Sequence, residues 1–385
     1  MLLTNLGIFG FNSLQDIFID GKKIKAISPS GERNNFKKND ISLSFENAIA
    51  FPGLINSHDH LDFNLFPQLG RKYKSYRDWG PDINANNKKE IDEVLQIPKN
   101  LRVQWGVYKN LLNGITTVVN HGDKLIIENE IITVFQKTNS LHSTAFEKRW
   151  KWKLNNPFAG KFPFVIHAGE GTDKNANEEI NSIIKWNLFK RKIIAVHGVA
   201  MDKKQSKSFK ALIWCPVSNY FLLDKTADID HLKYETGIVF GTDSTLTATW
   251  NLWEHLRVAR HENAATDEEL INMLTTVPAT VWDLKNQGRI IAGNNADIVI
   301  AQSKSNKDFT DNFFALNPQD LLLIIHNGDI KFFDESLYDS LCANNFANKF
   351  SKININNKVK YVEGDLPALI NEIKKYHPGA QFPVS

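Results

Sequence analysis

The central part of the chain alternates short apolar runs with longer stretches whose apolar residues recur at helical spacing. This alternation is typical of βα units around a parallel sheet, in which both faces of each strand are buried. Seven runs have the length of a buried strand, at 54–56, 116–119, 141–145, 164–166, 193–196, 212–214 and 238–240. The interval from Asn120 to Pro163 is short for two complete βα units, and its spacing predicts a helix over 124–137.

The two ends of the chain have a different pattern. Residues 1–50 resemble short strands and turns, with Asp20-Gly21 as a hairpin signal, and residues 288–335 have the same character. These features predict an α/β protein: a (β/α)8 TIM-like barrel over 51–287 and a small β-sandwich domain formed from 1–50 and 288–335. Residues 336–385 are predicted to be a C-terminal extension with one amphipathic helix near 366–376.

Composition narrows the class of protein. The 385 residues carry a formal net charge of only +3, which argues against a nucleic-acid or membrane partner because either needs a concentrated basic surface. The two cysteines, Cys215 and Cys342, lack metal-ligand spacing and are typical of reduced thiols. The N-terminus lacks the features of a signal peptide, and no run is long enough for a membrane helix. We therefore expect a cytoplasmic protein.

Polar side chains that suit chemistry follow four of the predicted strands. They are His58 and His60, then His167 with Glu170, then His197, and finally Asp243. In a parallel barrel the residues just past the carboxyl ends of the strands line the catalytic face. A single His-x-His is a weak signal, and a single Asp after a strand is more often a helix cap. Four such endings in one chain predict a metal site with acid–base groups.

The residue types suggest a division of roles. Alternate strand residues point the same way, so His58 and His60 can face one cation, with His167 and Asp243 completing the set. Imidazole and carboxylate suit one divalent ion, zinc or alternatively iron. Such an ion lowers the pKa of a bound water. Glu170 is placed to carry the proton, and His197 and Asp243 to orient the hydroxide.

Several segments resemble the amidohydrolase superfamily, in the branch that contains cytosine and guanine deaminases and triazine hydrolases. Residues 51–60 (FPGLINSHDH) resemble its first barrel strand, 214–219 (WCPVSN) its CPxSN segment, and 241–244 (GTDS) its last metal-ligand strand. The resemblance implies a mononuclear metal site with the ligands and catalytic residues named above. It also implies that Ser218 and Asn219 lie near the pocket. His-Ala-Gly-Glu at 167–170 departs towards the adenosine-deaminase form of this motif.

These features together predict a metal-dependent hydrolase of carbon–nitrogen bonds other than peptide bonds. The leading hypothesis is hydrolytic deamination of a small heterocyclic substrate, with Glu170 as the proton shuttle. One alternative is hydrolysis of a cyclic amide or a carbon–halogen bond, and another is a catalytically silent scaffold. Trp79, His121, Ser218 and Asn219 are candidate substrate contacts, although Trp79 and His121 also fit purely structural roles. A homo-oligomer is an open expectation.

Overall fold

Strands and helices alternate through the centre of the chain, as the apolar pattern predicts. The computed structural model describes residues 1–31, 41–127, 130–304, 308–342 and 346–385. Its strands, in chain order, are β1 (Leu2–Ile8), β2 (Gln15–Asp20), β3 (Lys23–Pro29), β4 (Ser42–Pro52), β5 (Leu54–Asp59), β6 (Ile115–Asn120), β7 (Thr133–Phe135), β8 (Asn139–Ser143), β9 (Phe164–Ala168), β10 (Ile193–His197), β11 (Ala211–Trp214), β12 (Gly237–Phe240), β13 (Ile298–Gln302), β14 (Leu321–His326), β15 (Asp329–Asp334), β16 (Phe350–Ile355) and β17 (Lys358–Glu363).

The helices lie mainly between the central strands. In chain order they are α1 (Tyr76–Asn86), α2 (Lys88–Leu95), α3 (Lys99–Leu111), α4 (Trp150–Leu154), α5 (Lys174–Trp186), α6 (Lys203–Ser206), α7 (Pro216–Leu223), α8 (Ile229–Leu232), α9 (Leu252–His261), α10 (Asp267–Asn272), α11 (Thr276–Val281), α12 (Phe309–Phe314), α13 (Tyr338–Cys342) and α14 (Leu366–Tyr376). Short 3₁₀ turns cover Leu61–Phe63, Pro318–Asp320, Glu335–Leu337 and Phe346–Lys349. Within the described ranges, none of these helices has the length and apolar character needed to cross a membrane.

Two parallel sheets form the centre of the molecule. One contains β5, β6 and β7, and the other contains β8 to β12 in the order of the sequence. All neighbouring strands in both sheets run parallel. The carboxyl ends in each sheet therefore lie at one edge. The residues of β10 are buried throughout, which explains why its sequence from Ile193 to Val196 is an apolar run rather than an alternating pattern.

The interval between Asn120 and Pro163 contains a strand that the sequence pattern did not predict. The helix expected over 124–137 is wrong, because β7 (Thr133–Phe135) pairs with β6 in this interval. Ile126 is exposed, whereas Ile131 and Ile132 are buried just before β7. The cluster of isoleucines has helix-like spacing, but β-branched residues favour extended backbone and short apolar runs fit either structure. Counting β7, the parallel sheets contain eight strands.

A third sheet joins the two ends of the chain. Its nine strands lie in the order β16-β17-β15-β14-β13-β4-β1-β2-β3. The amino-terminal segment thus pairs with the segment after residue 287, as the sequence predicts. The strands β16 and β17 belong to the polar C-terminal extension and were not predicted. The predicted helix near 366–376 is present as α14, whose apolar side chains join the main core.

Alternate residues of β13 face two different hydrophobic cores. Ile298 and Ile300 pack into a core made of residues from the nine-stranded sheet, while Val299 and Ala301 face the larger core of the parallel sheets and helices. The alternation follows from the two-residue period of a strand. The sheet is therefore covered on both faces along β13, and the nine-stranded sheet is packed against the part of the molecule that carries the predicted site.

Candidate metal centre and active site

The predicted metal ligands meet beyond the carboxyl ends of the parallel strands. His58 lies in β5 and His60 follows it, so their side chains leave the backbone in the same direction. The Nε2 atoms of both rings lie 3.8 Å from Asp243 Oδ1. His167 Nε2 lies 3.3 Å from His58 Nε2. The four side chains predicted as ligands thus converge although up to 185 residues separate them in sequence.

Two overlapping groups of side chains could hold a metal ion. One is His58, His60 and Asp243, and the other is His58, His167 and His197, with ligand atoms within 4.8 Å of one another in each group. The sequence analysis predicted an orienting role for His197. In the structure, His197 also belongs to one of the two groups that could hold a metal ion. These donors are imidazole nitrogens and a carboxylate oxygen, a combination that suits zinc or iron in proteins.

Hydrogen bonds fix the tautomers of two of these histidines. His167 Nδ1 donates to the backbone carbonyl of His142 at 2.8 Å. His197 Nδ1 donates to Asn219 Oδ1 at 2.8 Å, and the Asn219 amide nitrogen donates to Thr226. Because both acceptors are oxygens, the proton resides on Nδ1 and the Nε2 lone pair is directed into the site. This arrangement is typical of metal-binding histidines.

The Asp243 carboxylate is oriented in the same manner. Ser218 Oγ and Thr247 Oγ1 donate to its Oδ2 at 2.8 and 3.0 Å, and the Oδ1 atom is left on the side of the histidines. The Asp243 backbone has a φ of 56° and its N–H donates to the carbonyl of His58 at 3.0 Å. A non-glycine residue in the left-handed region is strained and needs support from its surroundings.

Gly241 permits the close approach of the strands that carry His58 and Asp243. A Cβ at this position would lie 2.7 Å from the Cβ of His58 and 2.8 Å from Ile213 Cγ2. Both are closer than side-chain carbons approach in folded proteins. Any larger residue would therefore displace His58 from its position against Asp243.

Burial keeps His58 and His167 neutral. It lowers the pKa of His58 and His167 well below the usual value, and neighbouring histidines lower both further. The pKa of Asp243 is affected in opposite directions: burial raises it, but His60, His197 and the hydrogen bond from Ser218 leave it below the usual value. Neutral imidazoles around an ionised carboxylate leave a group of lone pairs that a cation would satisfy.

Glu170 lies beside His197, with its Oε2 atom 3.7 Å from His197 Nε2. Its side chain is buried, and burial raises the pKa of this carboxyl group well above the usual range, with further contributions from Asp243 and Glu179. A carboxyl group with a raised pKa can hold a proton near neutral pH and release it again. The geometry therefore suits a residue that transfers protons.

These residues open into a cavity of about 380 Å³. Its walls include His60, Glu170, His197 and Asp243, together with Phe63, Tyr76, Trp79, His121, His142 and Leu246. A second groove, of about 580 Å³, lies between α3 and α14 and carries none of the predicted site residues. The smaller cavity therefore combines the candidate ligands, a proton carrier and aromatic walls in one place.

The four predicted substrate contacts fall into two pairs. Trp79 and His121 line the cavity; Trp79 donates its ring N–H to the Leu69 carbonyl, and the His121 ring stacks on His167 with centroids 4.5 Å apart. His121 Nε2 also forms a hydrogen bond with the Leu141 carbonyl, as expected of a histidine with a structural role. Ser218 and Asn219 are fully buried behind Asp243 and His197, and neither is among the residues that line the cavity.

His142 is not among the candidate site residues that the sequence analysis identified. It lies near the carboxyl end of β8, lines the cavity, and its carbonyl orients His167. Burial and the proximity of His60 lower its pKa to about 4. The available signal was its place within the predicted strand at 141–145, but a histidine inside a strand gives no indication of the face it will occupy.

A buried polar layer supports the ligands and was also not predicted. Lys109 Nζ, from α3, lies 3.1 Å from Asp59 Oδ2 and also donates to the Asp243 carbonyl at 3.3 Å. Asn110 and Asn64 donate to the two oxygens of Asp59 at 2.7 and 2.8 Å. Asp59 separates the two histidines of the His58-Asp59-His60 motif, so this layer connects β5 with the backbone that carries Asp243.

Comparison with known proteins gives consistent results. Residues 158–331 match the amidohydrolase family. The chain is 23% identical to a 5-methylthioadenosine/S-adenosylhomocysteine deaminase from Caldicellulosiruptor saccharolyticus, across 84% of this chain and 89% of that protein. It is 24% identical to a 5'-deoxyadenosine deaminase from Methanococcus aeolicus, across 75% and 82%.

The fold is similar to that of solved structures in the same group. An adenosine deaminase from Xanthomonas campestris with bound zinc superposes with a TM-score of 0.67 at 13% identity, across 98% of this chain and 97% of that one. At this identity the similarity concerns the fold, which is of the TIM-barrel type. The family match over residues 158–331 confirms the resemblance seen in the sequence motifs: this segment matches the amidohydrolase family.

Proposed function

We propose that this protein is a metal-dependent aminohydrolase that releases ammonia from a small heterocyclic substrate. The observation that carries the proposal is the cluster of His58, His60, His167 and Asp243 beside Glu170 in one cavity, with contacts of 3.3 to 3.8 Å that link the four side chains through His58 and Asp243. The deaminase names of the two relatives described above support the same reaction class.

We assign the metal to His58, His60, His167 and Asp243, and we propose a single zinc ion. Imidazole nitrogens and a carboxylate suit zinc, and the Nε2 atoms of His58 and His60 lie 3.8 Å from Asp243. The tautomer of His167 also supports the assignment, because its Nε2 lone pair is directed into the site. A metal at this point lowers the pKa of bound water towards neutrality. A second metal would compete for the same few donors, which is why we propose one.

The residues around the ligands then have distinct tasks. Glu170 accepts one proton of the nucleophilic water and transfers it to a ring nitrogen of the substrate. It then takes the remaining proton from the hydroxyl group added to the ring carbon and passes it to the amine, which leaves as ammonia. His197 Nε2, whose lone pair is directed into the site, accepts a hydrogen bond from the nucleophilic water and so orients it, from a position fixed by Asn219. Ser218 and Asn219 act through Asp243 and His197 and are positioning residues rather than substrate contacts.

The cavity suits one flat, polar ring system. A volume of about 380 Å³ lies at the lower end of the range of small-molecule sites. Trp79, Phe63 and Tyr76 provide aromatic walls, and His121 and His142 provide polar atoms. Aromatic walls with a few fixed polar groups favour a heterocycle over an extended chain. Adenosine-type nucleosides come first among the substrates to test, because both relatives are named for them.

We infer that the two parallel sheets are the two parts of one eight-stranded barrel. The Asp243 N–H, after β12, donates to the His58 carbonyl of β5, which supports closure of the barrel between β12 and β5. The hydrogen bond from the Ile55 N–H of β5 to the Leu274 carbonyl also supports this closure. The separate core of the nine-stranded sheet supports a distinct β domain of the sandwich type. The domain boundaries at residues 50, 287 and 335 stay a prediction.

Metal analysis combined with an ammonia-release assay tests the proposed function. The purified protein is analysed for zinc and iron, then incubated with purine nucleosides, free purines, pyrimidines, pterins and triazines. Bound metal with ammonia release from one class supports the proposal. Metal without ammonia release from any of them overturns the deaminase assignment, and a protein that binds no metal after reconstitution overturns the ligand set.

A further inference from the structure

Two loops, which follow α4 and α5, meet at the edge of the parallel sheet opposite the candidate site. Residues 155–163 connect α4 to β9, and residues 187–192 connect α5 to β10. The strands β9 and β10 pair in parallel, with Ile193 opposite Phe164, so these loops lie together at the amino-terminal edge. Arg191 Nη2 donates to the Asn156 carbonyl at 2.7 Å, and Asn155 Nδ2 donates to the Trp186 carbonyl at 2.7 Å. The segments therefore form one continuous surface.

Large apolar side chains on this surface are directed into solvent. The exposed fraction is 92% for Phe158, 66% for Trp152, 65% for Leu188 and 56% for Phe189. Scattered single apolar residues are ordinary on a protein surface, but a cluster of large ones usually marks an interaction site. Phe162 and Trp186 are also exposed and belong to the same segments.

The same surface is strongly basic. Residues 148–162 and 185–192 contain nine lysines and arginines and no aspartate or glutamate, and one of the nine, Lys153, pairs with the preceding Glu147 at 2.8 Å. Since the whole chain has a net charge of only +3, the rest of the molecule is net negative. Cations and rings are in contact within the surface: Lys151 Nζ lies 4.2 Å from the centre of the Trp186 ring, and the Arg191 guanidinium lies 5.5 Å from that of Phe189.

We propose that residues 148–162 and 185–192, called here the basic aromatic face, bind the surface of a bilayer that contains anionic lipids. Lysine and arginine near such a surface are attracted to its negative potential, and exposed tryptophan, phenylalanine and leucine side chains partition into the interfacial region. The near-neutral net charge of the chain predicted no such partner. The uneven distribution of that charge in the folded protein is the reason to propose one.

Two other occupants fit the surface less well. A symmetric contact with a second copy of this chain would bring nine cations against nine cations, which opposes association. Single-stranded nucleic acid is bound by a basic groove in which bases stack on aromatic rings. Here the apolar residues lie in connecting loops and on α4, and Leu188 has no ring on which a base could stack.

Most of the face lies away from the candidate site. His167 and His197 lie at the carboxyl ends of β9 and β10, whereas residues 155–163 and 187–192 lie at the opposite ends of the same strands. Lys153, in α4, instead lines the candidate cavity and is not substituted in the test. The inference does not depend on the proposed function, because none of the substituted side chains lines the cavity or is a candidate metal ligand.

Vesicle co-sedimentation tests the proposal. The full chain is mixed with vesicles of phosphatidylcholine alone or of phosphatidylcholine with phosphatidylglycerol. We expect binding to the anionic vesicles only, weakened by salt, and reduced about tenfold by Phe158→Ser with Phe189→Ser and by Lys161→Glu with Lys185→Glu. These side chains are exposed, so the melting temperature of both double variants should match that of the wild type.

Matched controls lie elsewhere on the surface. Ile126 is 90% exposed but lies near Glu130 and Glu363, and Lys25 lies on β3 of the nine-stranded sheet. Ile126→Ser and Lys25→Glu should bind vesicles like the wild type. Equal binding to neutral vesicles, or no binding to anionic ones, overturns the proposal. So does a result in which the double variants instead dissociate a dimer or weaken binding of a single-stranded oligonucleotide.

Discussion

Lys109 and Asp59 form an ion pair that is sealed from solvent beneath the candidate metal ligands, with Nζ and Oδ2 3.1 Å apart. Lys109 comes from α3 and Asp59 from β5, and 50 residues separate them. The same ammonium group donates to the Asp243 carbonyl, whose residue has a left-handed backbone. One cation thus neutralises the buried carboxylate between His58 and His60 and supports the backbone of a third candidate ligand.

Removing this cation should destabilise the protein strongly. Lys109→Met leaves the Asp59 carboxylate buried without its counter-charge, which should lower the free energy of unfolding by about 3–5 kcal/mol. Adding Asp59→Asn should recover part of the loss, because the charge is then absent on both sides. Urea unfolding measures both values. Lys88→Met, which breaks the exposed pair with Asp92, should cost less than about 1 kcal/mol. Equal stability of Lys109→Met and wild type would contradict this account.

His60→Ala should remove bound metal while the protein remains folded. The ring lies 3.8 Å from Asp243 and is partly exposed to the cavity, so truncation removes a donor without opening a hole in the core. Metal content should fall from about one equivalent to a small fraction of it. The control is His231→Ala, whose ring pairs with Asp228 on the surface and should leave metal content unchanged. Retention of full metal by His60→Ala would exclude this ligand.

Ser218→Ala should weaken metal binding without abolishing it. The substitution removes the hydroxyl that donates to Asp243 Oδ2 at 2.8 Å, while Thr247 still donates to the same atom. Loss of a partner that orients a ligand typically reduces metal affinity by about 10–100-fold. Competition with a chelator gives the affinity. Ser206→Ala removes an equally buried hydroxyl in α6 and should leave the affinity unchanged; a similar loss in both variants would indicate a general structural effect.

Glu170→Gln should lower kcat with little change in metal content. The amide keeps the shape of the side chain but cannot carry a proton, and general acid–base groups typically contribute about 10²–10⁴ in rate. Steady-state kinetics with the substrate found in the ammonia screen would show the effect as a fall in kcat rather than a rise in KM. The control is Glu178→Gln, an exposed position on α5. Unchanged kcat in Glu170→Gln would exclude the proton-transfer role.

His255 should make stability depend on pH. Burial lowers its pKa to about 4, with Lys109 lowering it further and the Thr249 carbonyl and Asp243 opposing the shift. Below the pKa of about 6.5 in the unfolded chain, only the unfolded state takes up this proton, so stability falls as pH falls. From pH 7 to pH 5 wild type should lose about 2 kcal/mol more than His255→Gln. Urea unfolding at both pH values checks this difference, and an equal loss would contradict it.

The clustering of the candidate ligands could be predicted because each lies at the carboxyl end of its strand or shortly after it. In a parallel sheet the residues after the carboxyl ends meet at one edge, so local apolar runs were enough to bring His58, His167, His197 and Asp243 together. The family assignment followed from motifs of the same kind. The prediction of strands near both ends of the chain is also confirmed, because hairpin turns and two-residue alternation are local features of the sequence.

Local patterns did not distinguish a helix from β7 at 124–137, because clustered isoleucines fit both and pairing with β6 decided the outcome. Pairing likewise drew β16 and β17 from a polar segment into the nine-stranded sheet.

The sequence by itself determined which chemical groups are available and the strands that deliver them. Only the tertiary structure decided the contacts of Lys109 with Asp59 and of Ser218 with Asp243, and the contact between the basic segments 148–162 and 185–192. The physical reason is that ion pairs and surface fields depend on distance in space, and packing brings together residues whose spacing along the chain carries no signal.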